Sequence, residues 1–314
     1  IEDKLTEIRY PKSSDDKLKG IQFEYNAYKW LVRIKGIVSE NGTEETRDLR
    51  AYEYYNDSKV KTIKDYREFL KGTYGYIDKS YEYDIFDRVV KMSYVDSNNA
   101  SKVLEQYTYN YDKNSNIISE KIINNYPANE SDKVNETRTY TYDSLNRMVK
   151  AVVTDNIAET ISNTEYTYDQ VGNCTKKIED GVTTTSTYNE LNQLKQQLVK
   201  EGDTPISCTY YWYDANGNQT LEQIETFAPY TLSTIQKEYD VNNQLTKVTG
   251  RAGATDGTIK YTQANTYNSC GQRISKTDNG VTTNYYYQGE VLLYTTDGNG
   301  NKTSQNIIGV QENI

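Results

Sequence analysis

Apolar and polar positions alternate along much of the chain, and the apolar partner in that alternation is often tyrosine. In the run Tyr140-Thr141-Tyr142-Asp143-Ser144-Leu145-Asn146-Arg147-Met148-Val149, two rings stand two residues apart. They share one face of an extended strand while Thr141 points to the other. Asp143 then opens a type I turn, where its carboxylate accepts from nearby backbone N–H groups. Asn146 falls where the chain needs a left-handed residue, a conformation that glycine and asparagine tolerate best. Arg147-Met148-Val149 begins a returning strand. The pattern predicts a β-hairpin with tyrosines on its outgoing arm.

That unit recurs. Anchors of tyrosine followed by Asp or Asn stand at Tyr83-Asp84, Tyr111-Asp112, Tyr142-Asp143, Tyr168-Asp169, Tyr188-Asn189, Tyr213-Asp214, Tyr239-Asp240 and Tyr267-Asn268, a period of about 26 residues. Three residues after the acidic or amide position come Asp87, Ser115, Asn146, Gly172, Asn192, Gly217, Asn243 and Gly271, all small or turn-forming. Three residues before it, Tyr81, Tyr109, Tyr140, Tyr166 and Tyr211 repeat the ring. Five residues after it, Val89, Ile117, Met148, Cys174, Leu194 and Leu245 are apolar, while Gln219 and Arg273 are not, with Ile274 one residue on.

One hairpin cannot bury its own face, so hairpins at this period are expected to pair edge to edge. The fold class predicted is all-β: tandem hairpins in an extended antiparallel sheet. Asp180-Gly181, Asp278-Asn279-Gly280 and Asp297-Gly298 supply turns between repeats, and Pro127, Pro205 and Pro229 fall in the same inter-repeat segments. The regular array is expected over residues 81–284, flanked by divergent repeats over 1–80 and a modified terminal repeat over 285–314. Near the N-terminus, Phe23-Glu24-Tyr25-Asn26 and Tyr54-Tyr55-Asn56 read as decayed anchors. Lys29 and Lys59 follow them at the third position, which predicts a different turn. Ile63, Tyr66, Phe69 and Leu70 have the spacing of a short helix.

Composition changes the picture in one respect. The chain has 32 Tyr against 4 Phe and 2 Trp, so its aromatic mass carries hydroxyls and a mean hydropathy of −0.88 is compatible with folding. Tyrosine buries a ring while its tip reaches water or a backbone partner. Thin ordered layers are expected instead of one thick apolar core. The net charge is −9, with no basic run, so nucleic acid binding has no electrostatic footprint. No apolar stretch approaches the ~20 residues of a membrane-spanning helix.

At this point the sequence resembles the YD-repeat, or Rhs-repeat, family. The fullest match is Tyr140 to Val149, with shorter ones from Tyr166 to Asn173, Tyr211 to Asn218 and Tyr267 to Ile274. The resemblance implies a sheet that spirals into a hollow shell. It implies a role as a scaffold segment of a secreted or cell-surface bacterial protein, enclosing or presenting a C-terminal toxin domain. Carbohydrate binding or adhesion through surface Tyr and Trp is the alternative. The chain opens on Ile1 and is expected to be a fragment without its targeting signal, ending before any core or toxin domain.

Candidate chemistry is sparse. With no histidine, Ser-His-Asp and Cys-His catalysis and most catalytic zinc sites are excluded. Cys174, Cys208 and Cys270 have no disulfide or zinc spacing. Cys174 is expected to be a small buried hydrophobe and Cys270 an exposed, inert turn residue. Asp214-Ala215-Asn216-Gly217-Asn218 partly mimics a calcium loop, but Gln219 replaces the required glycine. Neither cofactor, metal nor enzymatic activity is expected. Trp212 lies opposite Tyr211 and Tyr213 and is the better ligand-stacking candidate of the two tryptophans, Trp30 being the other.

Overall fold

The computed structural model describes residues 4–10, 18–40, 42–66, 75–155 and 159–306. These form two compact units divided after residue 161. Both are all-β. In the first unit, eleven strands run from Glu7–Arg9 to Met148–Asp155, each antiparallel to the next. In the second, thirteen run from Thr160–Tyr168 to Lys302–Gln305, paired in the same successive way. The tandem antiparallel hairpins predicted from the sequence are therefore present.

Because the pairing is successive, the turns alternate between two edges. In each unit one edge carries the Tyr-Asp turns, all of one length. The other carries connections of varied length, from the tight Asp180-Gly181 turn to the segment between Asn124 and Val134, which holds a 3-10 turn at Glu130–Asp132. Pro205 sits inside the strand Thr204–Tyr213, opposite Lys200 where the register slips, so the missing N–H falls at an irregularity.

The proposed short helix is corrected. Ile63 lies in the strand Val60–Asp65 and Tyr66 directly follows it; Phe69 and Leu70 fall outside the described residues. β-pairing with Tyr52 and Lys79 on either side overrides a helical spacing only a few residues long.

The two units bury different chemistry. The first packs Ile21, Ile34 and Ile63, all 0% exposed, with Tyr52, Tyr81, Met92 and Leu104. In the second, the buried residues are mostly polar: Thr164, Ser186, Thr234, Thr249, Asn265, Thr295 and Thr296 beside Cys208 and Val248. Hydrogen bonds, such as Asn265 Nδ2 to the Leu245 carbonyl at 2.9 Å, stand where apolar contact would otherwise be. Gly250 marks one close approach: a Cβ there would lie 2.0 Å from the Tyr261 ring, its cross-strand neighbour. The ring covers the strand where glycine leaves it bare.

Candidate functional site: the turn edge

Asp143 shows how one turn is built. Its backbone N–H donates to the Arg147 carbonyl at 2.9 Å, and Asn146 N–H donates back to the Asp143 carbonyl at 3.0 Å. Asn146 has φ +60, the left-handed residue that closes a type I turn with a bulge. Asp143 Oδ1 accepts from the N–H groups of Leu145 and Arg147, and Oδ2 from Arg147 Nε at 2.7 Å. Those backbone and guanidinium donors hold the Asp143 carboxyl below the usual carboxylate range.

All eight anchors repeat this frame. Asp87, Ser115, Asn146, Gly172, Asn192, Gly217, Asn243 and Gly271 each have positive φ. The anchor oxygen accepts the N–H groups two and four residues on, as at Asp84, Asp112, Asp169, Asn189, Asp214, Asp240 and Asn268. The fourth residue after the anchor is Arg, Asn or Gln in every case: Arg88, Asn116, Arg147, Asn173, Gln193, Asn218, Gln244 and Gln272. The local turn pattern alone does not single out this position. At Asp112 and Asp214 its amide donates to the second carboxylate oxygen at 2.9 Å. Those amides, with the backbone donors, lower both carboxyl pKa values.

The decayed anchors fold the same way, which corrects the expectation of a different turn. Asn26 N–H meets the Trp30 carbonyl, and Lys29 takes φ +64. At the next site the frame shifts back one residue, with Tyr55 as anchor and Ser58 at φ +71. Tyr54 there occupies the place of Tyr83. Asp297-Gly298-Asn299-Gly300-Asn301 builds the same turn on the opposite edge, its Oδ1 accepting from Asn299 and Asn301.

The anchor tyrosine makes the second recurring contact. Tyr83 donates its hydroxyl to the Val60 carbonyl, Tyr111 to Val89, Tyr142 to Ile117, Tyr188 to Cys174, Tyr213 to Leu194, Tyr239 to Gln219 and Tyr267 to Leu245, at 2.6–3.0 Å. Each acceptor is the first residue of the returning strand in the preceding hairpin, beside a slip in strand register. The tyrosine is thus a latch between hairpins, through its hydroxyl more than through ring-on-ring stacking. Burial pushes up the phenols of Tyr111, Tyr142, Tyr188, Tyr213 and Tyr239, and that of Tyr54 to about 12 with help from Tyr52.

Trp212 and Tyr210 share the opposite face, with ring centroids 6.3 Å apart. Trp212 is 44% exposed in a groove of about 530 Å³ whose lining includes Leu191, Gln193, Lys195, Asp214 and Ala215. Trp30 is more enclosed, packed between Tyr28 and Tyr54. Cys174 is half-buried, not buried as expected, because its side chain lies near the turn edge; Cys208 is the buried thiol, and Cys270 is exposed. No cluster of three or more potential metal ligands occurs among the described residues.

No family model matches the chain. Over 149 residues the chain is 36% identical to the tRNA nuclease WapA of Bacillus subtilis strain 168, covering 46% of this chain and 5% of that protein. The tRNA3(Ser)-specific nuclease WapA of Bacillus spizizenii is 34% identical over the same length, with the same coverage. The chain resembles a small segment of these proteins. Among solved structures, the TcdB2-TccC3-Cdc42 crystal structure aligns with 91% of this chain and 16% of its own, at 17% identity and TM-score 0.45. The Photorhabdus luminescens Tc holotoxin pore aligns over the same shares at 15% identity and TM-score 0.40.

The recurring groups are chemically occupied. Anchor carboxylates are filled by N–H donors, and latch hydroxyls by carbonyls of the preceding hairpin.

Proposed function

We propose that this chain is a scaffold segment of a secreted or cell-surface bacterial toxin-delivery protein, its hairpins forming part of a wall that encloses or presents a toxin domain. The observation that carries this reading is that the repeated Asp closes its own turn and the repeated Tyr joins each hairpin to the one before it. Similarity to a small part of much longer nucleases fits a structural segment, with the enzymatic activity located elsewhere in the parent. On this reading the segment has no cofactor and no catalytic activity of its own. The test is limited proteolysis of the full-length parent. The toxin domain is expected to resist protease while the array is intact and to become cleavable when Tyr188, Tyr213, Tyr239 and Tyr267 are all replaced by Phe. Equal cleavage in both proteins would sink the enclosure.

One observation favours a second reading. Trp212 is a half-exposed ring in a groove with both apolar and hydrogen-bonding walls, the combination that stacks on a sugar ring and orients its hydroxyls. A glycan is the expected ligand. Binding on a glycan array should vanish for Trp212→Ala with the strand content unchanged by circular dichroism; no binding by the folded wild-type chain rules the site out.

A further inference from the structure

We propose that the Tyr-Asp turns carry a pairing rule, in which the fourth residue after one anchor selects the third residue after the next anchor and so decides which hairpin fits beside which. Three adjoining pairs use asparagine against asparagine. Asn116 Nδ2 donates to Asn146 Oδ1 at 2.9 Å, Asn173 to Asn192 at 3.0 Å and Asn218 to Asn243 at 2.9 Å. Where the donor is the longer glutamine, the partner has no side chain. Gln193 faces Gly217, and Gln244 faces Gly271; in both, a Cβ would stand 3.3 Å from the glutamine Nε2. Gln272 likewise reaches a glycine, donating to the Gly289 carbonyl at 2.6 Å. Arg88, longer again, meets the small Ser115 at 3.1 Å, and Lys59 meets Asp87 as an ion pair.

Length explains the partition. A short amide leaves a gap that an asparagine carbonyl fills, whereas a long amide reaches into that space and would have to give by a few tenths of an ångström to admit even a Cβ. A mismatched neighbour either takes the cross-hairpin acceptor away, leaving the amide only its own anchor carboxylate and solvent, or crowds the turn. The local turn does not demand this choice. Asp anchors occur with Arg, Asn or Gln at the fourth position, and with Gly, Ser, Asn or Asp at the third. The constraint is between hairpins. Near-identical units are prone to pair with the wrong neighbour, and a complementary length code acts against that.

Exchange of the code tests it in the intact chain. Asn218→Gln and Asn243→Gly are each expected to speed amide hydrogen exchange in the flanking strands by roughly 5-fold or more. The double variant recreates a Gln–Gly pair and should return to within about 2-fold of wild type, as coupled sites do in a double-mutant cycle. The reverse exchange, Gln244→Asn with Gly271→Asn, should behave the same way. It keeps the test decisive if a variant in the first cycle fails to fold. Additive effects in both cycles, or doubles worse than their singles, would overturn the rule.

Discussion

Asp65→Asn should destabilise the first unit by about 3–5 kcal/mol, the range for removing one partner of a buried ion pair. Asp65 ends the strand Val60–Asp65 and is 3% exposed. Its carboxylate lies 3.3 Å from Arg50 Nη2 and 3.6 Å from Lys79 Nζ, whose side chains are only 16% and 14% exposed. Strand pairing brings them together: Arg50 faces Asp65 across one ladder and Ile77 faces it across the next, two residues from Lys79. The amide keeps the shape and removes the charge, leaving two cations in a weakly solvated site. Lys79 would retain the Tyr94 ring, 4.9 Å from its nitrogen, which offsets little of that loss. Urea unfolding at neutral pH measures the effect. Glu179→Gln, which breaks the exposed pair with Lys177, serves as the control and should change stability by less than about 1 kcal/mol. Equal effects for the two variants would mean that water reaches Asp65.

This cluster had no sequence signature, because its three charges are not periodic and only strand register assembles them. The turns were legible for the opposite reason. A left-handed residue and a side-chain acceptor are local requirements, and Asp143 with Asn146 states both within four residues. Local rules also misled: Lys29 was read against the turn, yet the backbone bonds of Asn26 and Trp30 hold it at positive φ. Tyr55 shows that the frame forms even with a tyrosine as anchor. The fifth position was read as an apolar side-chain slot. What the next tyrosine uses there is the carbonyl, a group that every residue type carries, so Gln219 and Arg273 serve as well as Leu194; Arg273 accepts from Tyr287 at 3.1 Å. The donors at the fourth position were readable in the sequence as eight consecutive Arg, Asn or Gln. Their meaning needed the neighbouring turn. Trp212 was placed by alternation alone; the groove around it depends on side chains from the adjoining hairpin.

Replacing the four latch tyrosines Tyr188, Tyr213, Tyr239 and Tyr267 by phenylalanine is expected to lower the stability of the second unit by about 2–6 kcal/mol, since each lost hydrogen bond contributes roughly 0.5–1.5 kcal/mol and separated sites add. The rings stay, so packing is kept, and what is lost is the donor to Cys174, Leu194, Gln219 and Leu245. Three of these latches make the fold alkali-sensitive. Burial raises the phenol pKa of Tyr188, Tyr213 and Tyr239 above the ordinary tyrosine value, with nearby Cys174, Glu222 and Asp214 adding to it. In the unfolded chain these phenols ionise near pH 10. Their stabilisation is therefore fully present below that pH and is lost as pH rises through the higher folded values. An ionised latch has no proton to donate and sets a negative oxygen against a carbonyl. Urea unfolding at pH 8, 10 and 11 should show wild-type stability falling steeply over the last interval. The four-fold phenylalanine variant starts lower at pH 8 and falls less between pH 10 and 11, because the groups that titrate have been removed. Parallel pH profiles for the two proteins would show that the alkaline loss comes from other groups and that the latch hydroxyls do not hold hairpin to hairpin.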